Sequence, residues 1–162
     1  MALISMSLWV FLLLTAIAVI WVLKQLRNPD SQKRMSMLKM GLFLAVFDWI
    51  FETAGLFLGY WHSTGSVFPL GPSVFFPPVE VFAIALCAGA ALNLLFPKKF
   101  DLKFALPAGM AVAVAGTFIE SMLVGTGNLV YLNGWTSFHA FVSYWAVFVF
   151  FHWTDAKFFQ RR

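Results

Sequence analysis

The chain has 162 residues, 61% hydrophobic and only 11% charged, with a net charge of +4. An average soluble domain is roughly a quarter charged, and a water-soluble fold could not hide this much apolar surface. The basic residues fall in the breaks between apolar segments with no nucleic-acid motif beside them, which sets nucleic acid aside as a partner.

About 20 apolar residues cross a bilayer core as a helix, and segments of that length tile most of the chain. The expectation is an all-α integral membrane protein forming one transmembrane domain over residues 1–162, with about five spans. The first span covers about residues 2–23. No positive charge precedes it, whereas Lys24, Arg27, Lys33 and Arg34 follow. A cleaved signal peptide has the opposite order, so this segment reads as a retained helix with its amino terminus outside. The second span, 40–60, carries Asp48 and Glu52 four residues apart on one helix face, which Gly55 and Gly59 roughly continue. The third, 76–96, opens behind Pro77 and Pro78 with Glu80 and holds the lone cysteine in the small-residue run Cys87-Ala88-Gly89-Ala90-Ala91. The fourth, 104–124, carries Glu120 near its outer end, and the fifth, 137–153, opens with His139 and closes with His152.

This tiling places all 11 Lys and Arg residues on one side of the membrane. Short loops rich in Lys and Arg stay cytoplasmic, so the carboxy terminus is inside; the expected location is a multi-pass place in a prokaryotic cell membrane. Asp30, Asp101 and Asp155 fall among the basic residues of the inner segments, and residues 157–162 read as a topology anchor. The outer connections are uncharged and rich in Gly, Ser, Pro, Asn and aromatics, and Trp61, Tyr131 and Trp135 suit an interfacial belt. One cysteine supports neither a disulfide framework nor a cysteine metal site and leaves the redox compartment unread.

Laying Glu120 on Glu52 aligns Ile50-Phe51-Glu52 with Phe118-Ile119-Glu120 and Gly59 with Gly127. In the helices that follow, Glu80 falls on His139, Phe82 on Phe141, Asn93 on His152, Lys98 on Lys157 and Phe100 on Phe159. The pattern reads as a parallel two-helix repeat, helices two and three recurring as four and five, with a pseudo-twofold axis along the membrane normal and a shared site between the halves. Short matches in a Phe-rich chain also arise by chance.

Four acids lie within the predicted membrane: Asp48, Glu52, Glu80 and Glu120. At about 1.5 Å rise per residue, Asp48 lies roughly 12 Å and Glu52 roughly 18 Å from residue 40, and the two other glutamates belong to the outer half. Each charged side chain at mid-bilayer costs at least about 2.5 kcal/mol. Carboxyls held close together in an apolar pocket cannot all be charged, and an acid beside a carboxylate is a proton donor paired with an acceptor. The plainer alternative is that Glu80 and Glu120 tie helices together through His139, Tyr60, Tyr131 or Asn128. His62 and His139, at the outer surface, either relay protons or are interfacial, and His152 reads as interfacial. Metal-ligand spacing is missing, as are a nucleophile elbow, a phosphate loop and a dinucleotide fingerprint, so neither a metal nor another cofactor is expected.

The stretch Glu52-Thr53-Ala54-Gly55-Leu56-Phe57-Leu58-Gly59, followed by an outer loop and Pro78-Val79-Glu80-Val81-Phe82, resembles the membrane lycopene cyclase domain of carotenoid biosynthesis, of the heterodimeric type. That family shows an acidic residue with glycines three and seven residues later, then a Pro-x-Glu-Glu motif opening the next helix. The resemblance covers about residues 40–100; Val81 stands where the second motif glutamate would be, and His139 takes the corresponding place in the second half. It implies an enzyme that binds a long isoprenoid between helices and protonates a double bond to start cyclisation or hydration. Glu52, Glu80, Glu120 and Asp48 would carry the acid and base steps, with Trp49, Gly55, Gly59, Tyr60, Asn128, His139 and Trp145 lining the substrate. Aromatic faces such as Trp49, Phe51 and Trp145 could stabilise a carbocation. With half of the motif present, a second copy or a partner membrane subunit would complete the site. Two other classes stay open, a proton-coupled transporter or channel using the same acids, and a non-catalytic membrane scaffold or assembly factor.

Overall fold

A computed structural model describes residues 8–67 and 76–160. The start of the first expected span at residues 2–7, part of the outer loop at 68–75, and Arg161 and Arg162 lie outside the described residues. Five α-helices follow in order, α1 (Leu8–Arg27), α2 (Ser31–Phe57), α3 (Val79–Leu95), α4 (Leu102–Gly125) and α5 (Ser137–Thr154), with a π-helical turn at Asp155–Phe159. Two short strands, β1 (Trp61–Ser63) and β2 (Leu129–Tyr131), follow α2 and α4. Among the described residues, α1, α2 and α4 are long and apolar enough to cross a membrane, and α3 is a shorter apolar helix. The 18 residues of α5 include Ser137, His139, Ser143, Tyr144 and His152, which dilute its apolar content. Large apolar side chains such as Phe11, Leu14 and Trp21 on α1 and Met110, Val114 and Phe118 on α4 face outward, as lipid requires.

The helix ends differ from the expected spans for local reasons. The second helix begins at Ser31 rather than 40, because the Asp30 carboxylate accepts the Lys33 backbone N–H at 2.7 Å and caps a polar first turn. Asp101 starts α4 in the same way through Lys103 N–H at 2.9 Å. Pro77 and Pro78 delay α3 to Val79. At its outer end α2 stops at Phe57, short of Tyr60, where Gly59 takes the left-handed conformation (φ +70°) and Tyr60 N–H closes back on the Gly55 carbonyl at 2.9 Å.

Helix α2 lies along α3 and α4 along α5, so the body is two antiparallel hairpins, with α1 against α3. The first hairpin is in backbone contact: a Cβ on Gly41 would lie 2.6 Å from the Leu86 carbonyl oxygen, and one on Gly89 2.8 Å from that of Met40. In the second, Gly109 admits Trp145 and Phe148, and Gly116 admits the Tyr144 ring at 3.0 Å. The inner core gathers Met40, Leu44, Ala45, Ala85, Phe96, Phe148 and Phe151, and the outer core Trp9, Leu56, Trp61, Leu123 and Leu129.

The hairpins exchange hydrogen bonds at both ends. At one end, β1 and β2 pair antiparallel with Trp61 opposite Tyr131, His62 opposite Val130 and Ser63 opposite Leu129. The shift that carries Glu52 onto Glu120 also carries His62 onto Val130, the central pair of this ribbon. The same shift turns the α2 ending into that of α4: Gly127 is left-handed (φ +74°), Asn128 N–H closes on the Leu123 carbonyl at 2.8 Å, and the Thr64 N–H bond to Asn128 O becomes the Leu132 N–H bond to Tyr60 O. The four buried residues of α4, Ala105, Gly109, Ala113 and Leu123, fall on Met37, Gly41, Ala45 and Gly55, all buried in α2.

The inner end holds two fully buried polar residues at positions the repeat alignment equates, Asn93 and His152. Asn93 Nδ2 donates to Ser36 Oγ at 2.9 Å and to the Asp155 carboxylate; Gln160 Nε2 reaches Asp155 Oδ2 at 2.6 Å, and Lys33 Nζ reaches the Asn93 carbonyl at 2.7 Å. His152 sits instead among Phe96, Phe100 and Phe104, with ring centroids 4.9, 5.2 and 5.2 Å away, and both of its nitrogens lack a partner at hydrogen-bonding geometry. One expectation is corrected here: His152 is not interfacial but caged. Asp155, expected among the basic residues, does lie near Lys33 and is sealed in by the π-helical turn. Burial pushes the Asp155 carboxyl up from its ordinary value, against the amides of Gln160 and Asn93, which favour its charged form.

Because Gly41 meets backbone, Gly41→Leu should force α2 from α3 and cost about 1–3 kcal/mol, typical of overpacking. Gly125→Ala, with open space around it, should have little effect. Thermal unfolding in detergent, followed by loss of the monodisperse peak, compares the two variants.

Candidate functional site

Three of the four expected acids come together. Asp48 and Glu52 project from one face of α2 and Glu120 from α4, near enough for Asp48 to feel the charge of Glu120 and for Glu52 to feel both others. All three residues are half-buried, with protein packed around their carboxyls. All the Lys and Arg residues fall outside 40–97 and 104–156, so no basic side chain from these stretches neutralises the group. Among the described residues, no three His, Cys, Asp or Glu side chains converge as metal ligands.

Glu52 is positioned by the outer ribbon. The Trp61 indole folds back over α2 and its Nε1–H donates to Glu52 Oε2 at 2.9 Å. Gly55 makes that possible, since a Cβ there would stand 1.9 Å from the Trp61 ring. The expected role of Gly55 in lining a ligand thus becomes room for an indole. Gly59 shapes the turn that follows, and its carbonyl accepts Asn133 Nδ2 at 2.9 Å. Above Trp61 lie Trp135, with ring centroids 4.7 Å apart, and Tyr60, 5.5 Å from Trp135. His139 stacks on the outside of Trp135 at 5.3 Å, and its Nδ1 pairs with Thr136 Oγ1 at 2.8 Å, so it stands at the exposed rim.

Two phenols face Glu120. Tyr131 of β2 lies beside it, its hydroxyl between the Glu120 carboxyl and Ser137. Burial and the neighbouring Glu120 carboxyl raise the Tyr131 phenol above its ordinary value. Tyr144 of α5 comes close to Glu120, Glu52 and Asp48 together. The residue is 37% exposed, while its hydroxyl lies among the acids. The sequence reading did not single out Tyr144, yet a signal was present: the alignment that equates Glu52 with Glu120 puts Gly116 on Asp48. A glycine where the other half carries an acid makes room for a large polar side chain from the facing helix.

Glu80, expected in the same pocket, is placed elsewhere. It is 1% exposed at the start of α3, with Oε2 accepting Ser66 Oγ and Oε1 accepting the Val67 backbone N–H, both at 2.8 Å. These bonds tie the outer loop to the helix. Trp49 packs edge-on against Phe82 between α2 and α3. Trp145 lies over Gly109 and donates to the Leu106 carbonyl at 3.1 Å, more than two turns below Glu120. Asn128 belongs to the outer turn, bonded to Thr126 Oγ1 at 2.9 Å. Of the expected lining residues, Gly55 thus stands close to the carboxyl group, Tyr60 and His139 lie at its rim against Trp135, and Gly59, Trp49, Trp145 and Asn128 support packing or turns.

No family model matches the chain, and neither a curated protein nor a solved structure matches it.

Gly55→Ala should displace the Trp61 indole and break its bond to Glu52, which a shift in tryptophan emission would report. Glu80→Ala should leave the Val67 N–H unsatisfied and cost about 1–3 kcal/mol. Faster amide exchange at Val67, with Trp61 emission unchanged, would separate that loop-tying role from the carboxyl cluster.

Proposed function

We propose that the chain is a membrane-embedded enzyme of isoprenoid chemistry, in which a carboxylic acid of the Asp48, Glu52 and Glu120 group protonates a polyene double bond and starts cyclisation or hydration. The observation that carries this reading is the gathering of three half-buried carboxyls and the Tyr144 hydroxyl, without a basic partner, beneath aromatic rings. The proposal includes five membrane-crossing helices, an outside amino terminus, a cytoplasmic carboxy terminus and a prokaryotic cell membrane. It also includes a parallel repeat of α2 and α3 in α4 and α5, which the matched helix endings and ribbon register support.

In this chemistry the alkene π electrons take the acid proton, leaving a carbocation and a carboxylate. A neighbouring carboxylate then removes a proton from the adjacent carbon after ring closure, or water adds to the cation and gives up its proton to that base. Asp48 makes no hydrogen bond with the described residues and is free to donate. Glu52, oriented by Trp61, suits the accepting role. The faces of Phe51 and Trp61, 5.8 Å apart, lie beside Glu52 where a cation would form.

A proton-coupled transporter would need the acids to continue inward. Below Asp48 the space is filled by phenyl rings, with Phe47 5.2 Å and Phe43 5.1 Å from Phe151, which favours a closed reaction pocket.

The test joins lipid mass spectrometry of the natively purified protein with turnover of the copurified isoprenoid. Asp48→Asn, Glu52→Gln and Glu120→Gln should retain the ligand, and loss of a general acid or base should lower turnover by about 10²–10⁴-fold. Tolerance of all three substitutions would support the scaffold reading, and proton-dependent flux in vesicles that Asp48→Asn abolishes would support the transporter.

A further inference from the structure

Tyr144 stands in the middle of the buried face of α5, one turn from Ala140 and Phe148 and two from Phe151, all of them buried, yet it is itself exposed. The same lapse interrupts two other helices. On α2, Asp48 and Glu52 are only half-buried between Leu44 and Ala45 on one side and Gly55 and Leu56 on the other; on α4, Gly116 and Glu120 are half-buried between Ala113 and Leu123. Residues three or four apart share a helix face, so the accessible surface of these side chains lies within the bundle rather than on its outside. Close packing fails where the two hairpins face each other, and the Tyr144 ring, admitted by Gly116 at 3.0 Å, extends into that space. Its hydroxyl bonds to Glu120 and faces Asp48 and Glu52.

Protonation of an alkene by Asp48 and removal of a proton by Glu52 leave the site inverted. Asp48 is then a carboxylate and Glu52 an acid, and the next turnover needs the proton back on Asp48. Although the two residues are four apart on α2, no hydrogen bond joins their carboxyls. Phe47 packed on Phe151 closes the way inward, and the buried Trp61 indole covers Glu52. The phenol that faces both carboxyls is the group placed to bridge them. We propose that Tyr144 resets the site: its oxygen takes the proton from Glu52 as its own proton passes to Asp48, while Glu120 holds the hydroxyl in place. One O–H bond breaks and one forms at each oxygen pair, and the phenol emerges unchanged. The inference rests on the isoprenoid reading in its cyclising form, in which the proton that Glu52 collects comes from the substrate. The framework itself does not call for the hydroxyl. The corresponding residue of α3 is the small Ala85, and filling the space over Gly116 needs only the ring.

Turnover of the acyclic polyene lycopene by the full chain in nanodiscs, run in heavy water, tests this. Because the returned proton originates on the polyene, wild-type product from many turnovers should carry far less than one deuterium per molecule. Tyr144→Phe, which keeps the ring over Gly116, should lower kcat by about 10²-fold, leave KM little changed and raise the label to about one deuterium. A fully labelled wild-type product, a product that has gained water, or a Tyr144→Phe variant with unaltered rate and label would overturn the relay and leave the isoprenoid reading standing. Infrared spectra of the resting protein give a second measurement that needs no turnover. The Tyr144 phenol C–O stretch, identified by its loss in Tyr144→Phe, should shift in each of Asp48→Asn, Glu52→Gln and Glu120→Gln; a shift in Glu120→Gln alone would overturn the relay. Protein that neither turns over lycopene nor copurifies with an isoprenoid would overturn the isoprenoid reading itself.

Discussion

Strands of three residues are too short to persist on their own in water. The β1 and β2 pair holds because each strand is anchored at both ends, to a glycine-stopped helix on one side and to the other hairpin on the other. From that pairing the carboxyl cluster takes its geometry: β1 aims Trp61 back over Gly55 onto Glu52, and β2 brings Tyr131 to Glu120. Trp135, set edge-on against Trp61, follows β2. The acids are set into α2 and α4, but what surrounds them is delivered by the ribbon.

Corresponding positions in the two hairpins are filled differently, and the differences are complementary. On the helices, Asp48 and Ala85 in the first hairpin answer to Gly116 and Tyr144 in the second, so acid with small partner becomes small residue with phenol. At the inner end the contrast is sharper. Asn93 is bonded to Ser36 and Asp155, and the positions that answer to those two, Phe104 and Phe96, enclose His152. One framework thus supports a hydrogen-bonded bolt on one side and an apolar cage on the other.

Much of the architecture was legible in the sequence because it follows from composition along one dimension. The apolar segments mark the helices, and counting residues gives the position of each acid along its helix. The position of a residue around its helix, and the reach of loops, are set by packing and cannot be counted. Glu80 sits in the first turn of its helix as expected, yet its oxygens turn to Ser66 and Val67 in the loop before it. Trp145 neighbours Tyr144 in the chain, yet it faces Gly109 rather than Gly116. Asp155 reads as a charged tail residue until the π-helical turn folds Gln160 over it. Gly55 carried a visible signal, but only the indole that fills its missing side chain explains it.

The two hairpins are joined in sequence only through residues 96–101, at the end of the bundle away from the ribbon. Across the rest of their boundary they are held by bonds between chemically separate stretches: ribbon pairs at one end, and at the other Lys33 to Gln160, Ser36 to the Phe159 carbonyl and Asn93 to Asp155. Each piece carries a complete helix pair and half of every shared contact. The fold is in this respect a two-part assembly with a covalent tether, and the carboxyl cluster, with Asp48 and Glu52 on one part and Glu120 on the other, exists only where the parts mate.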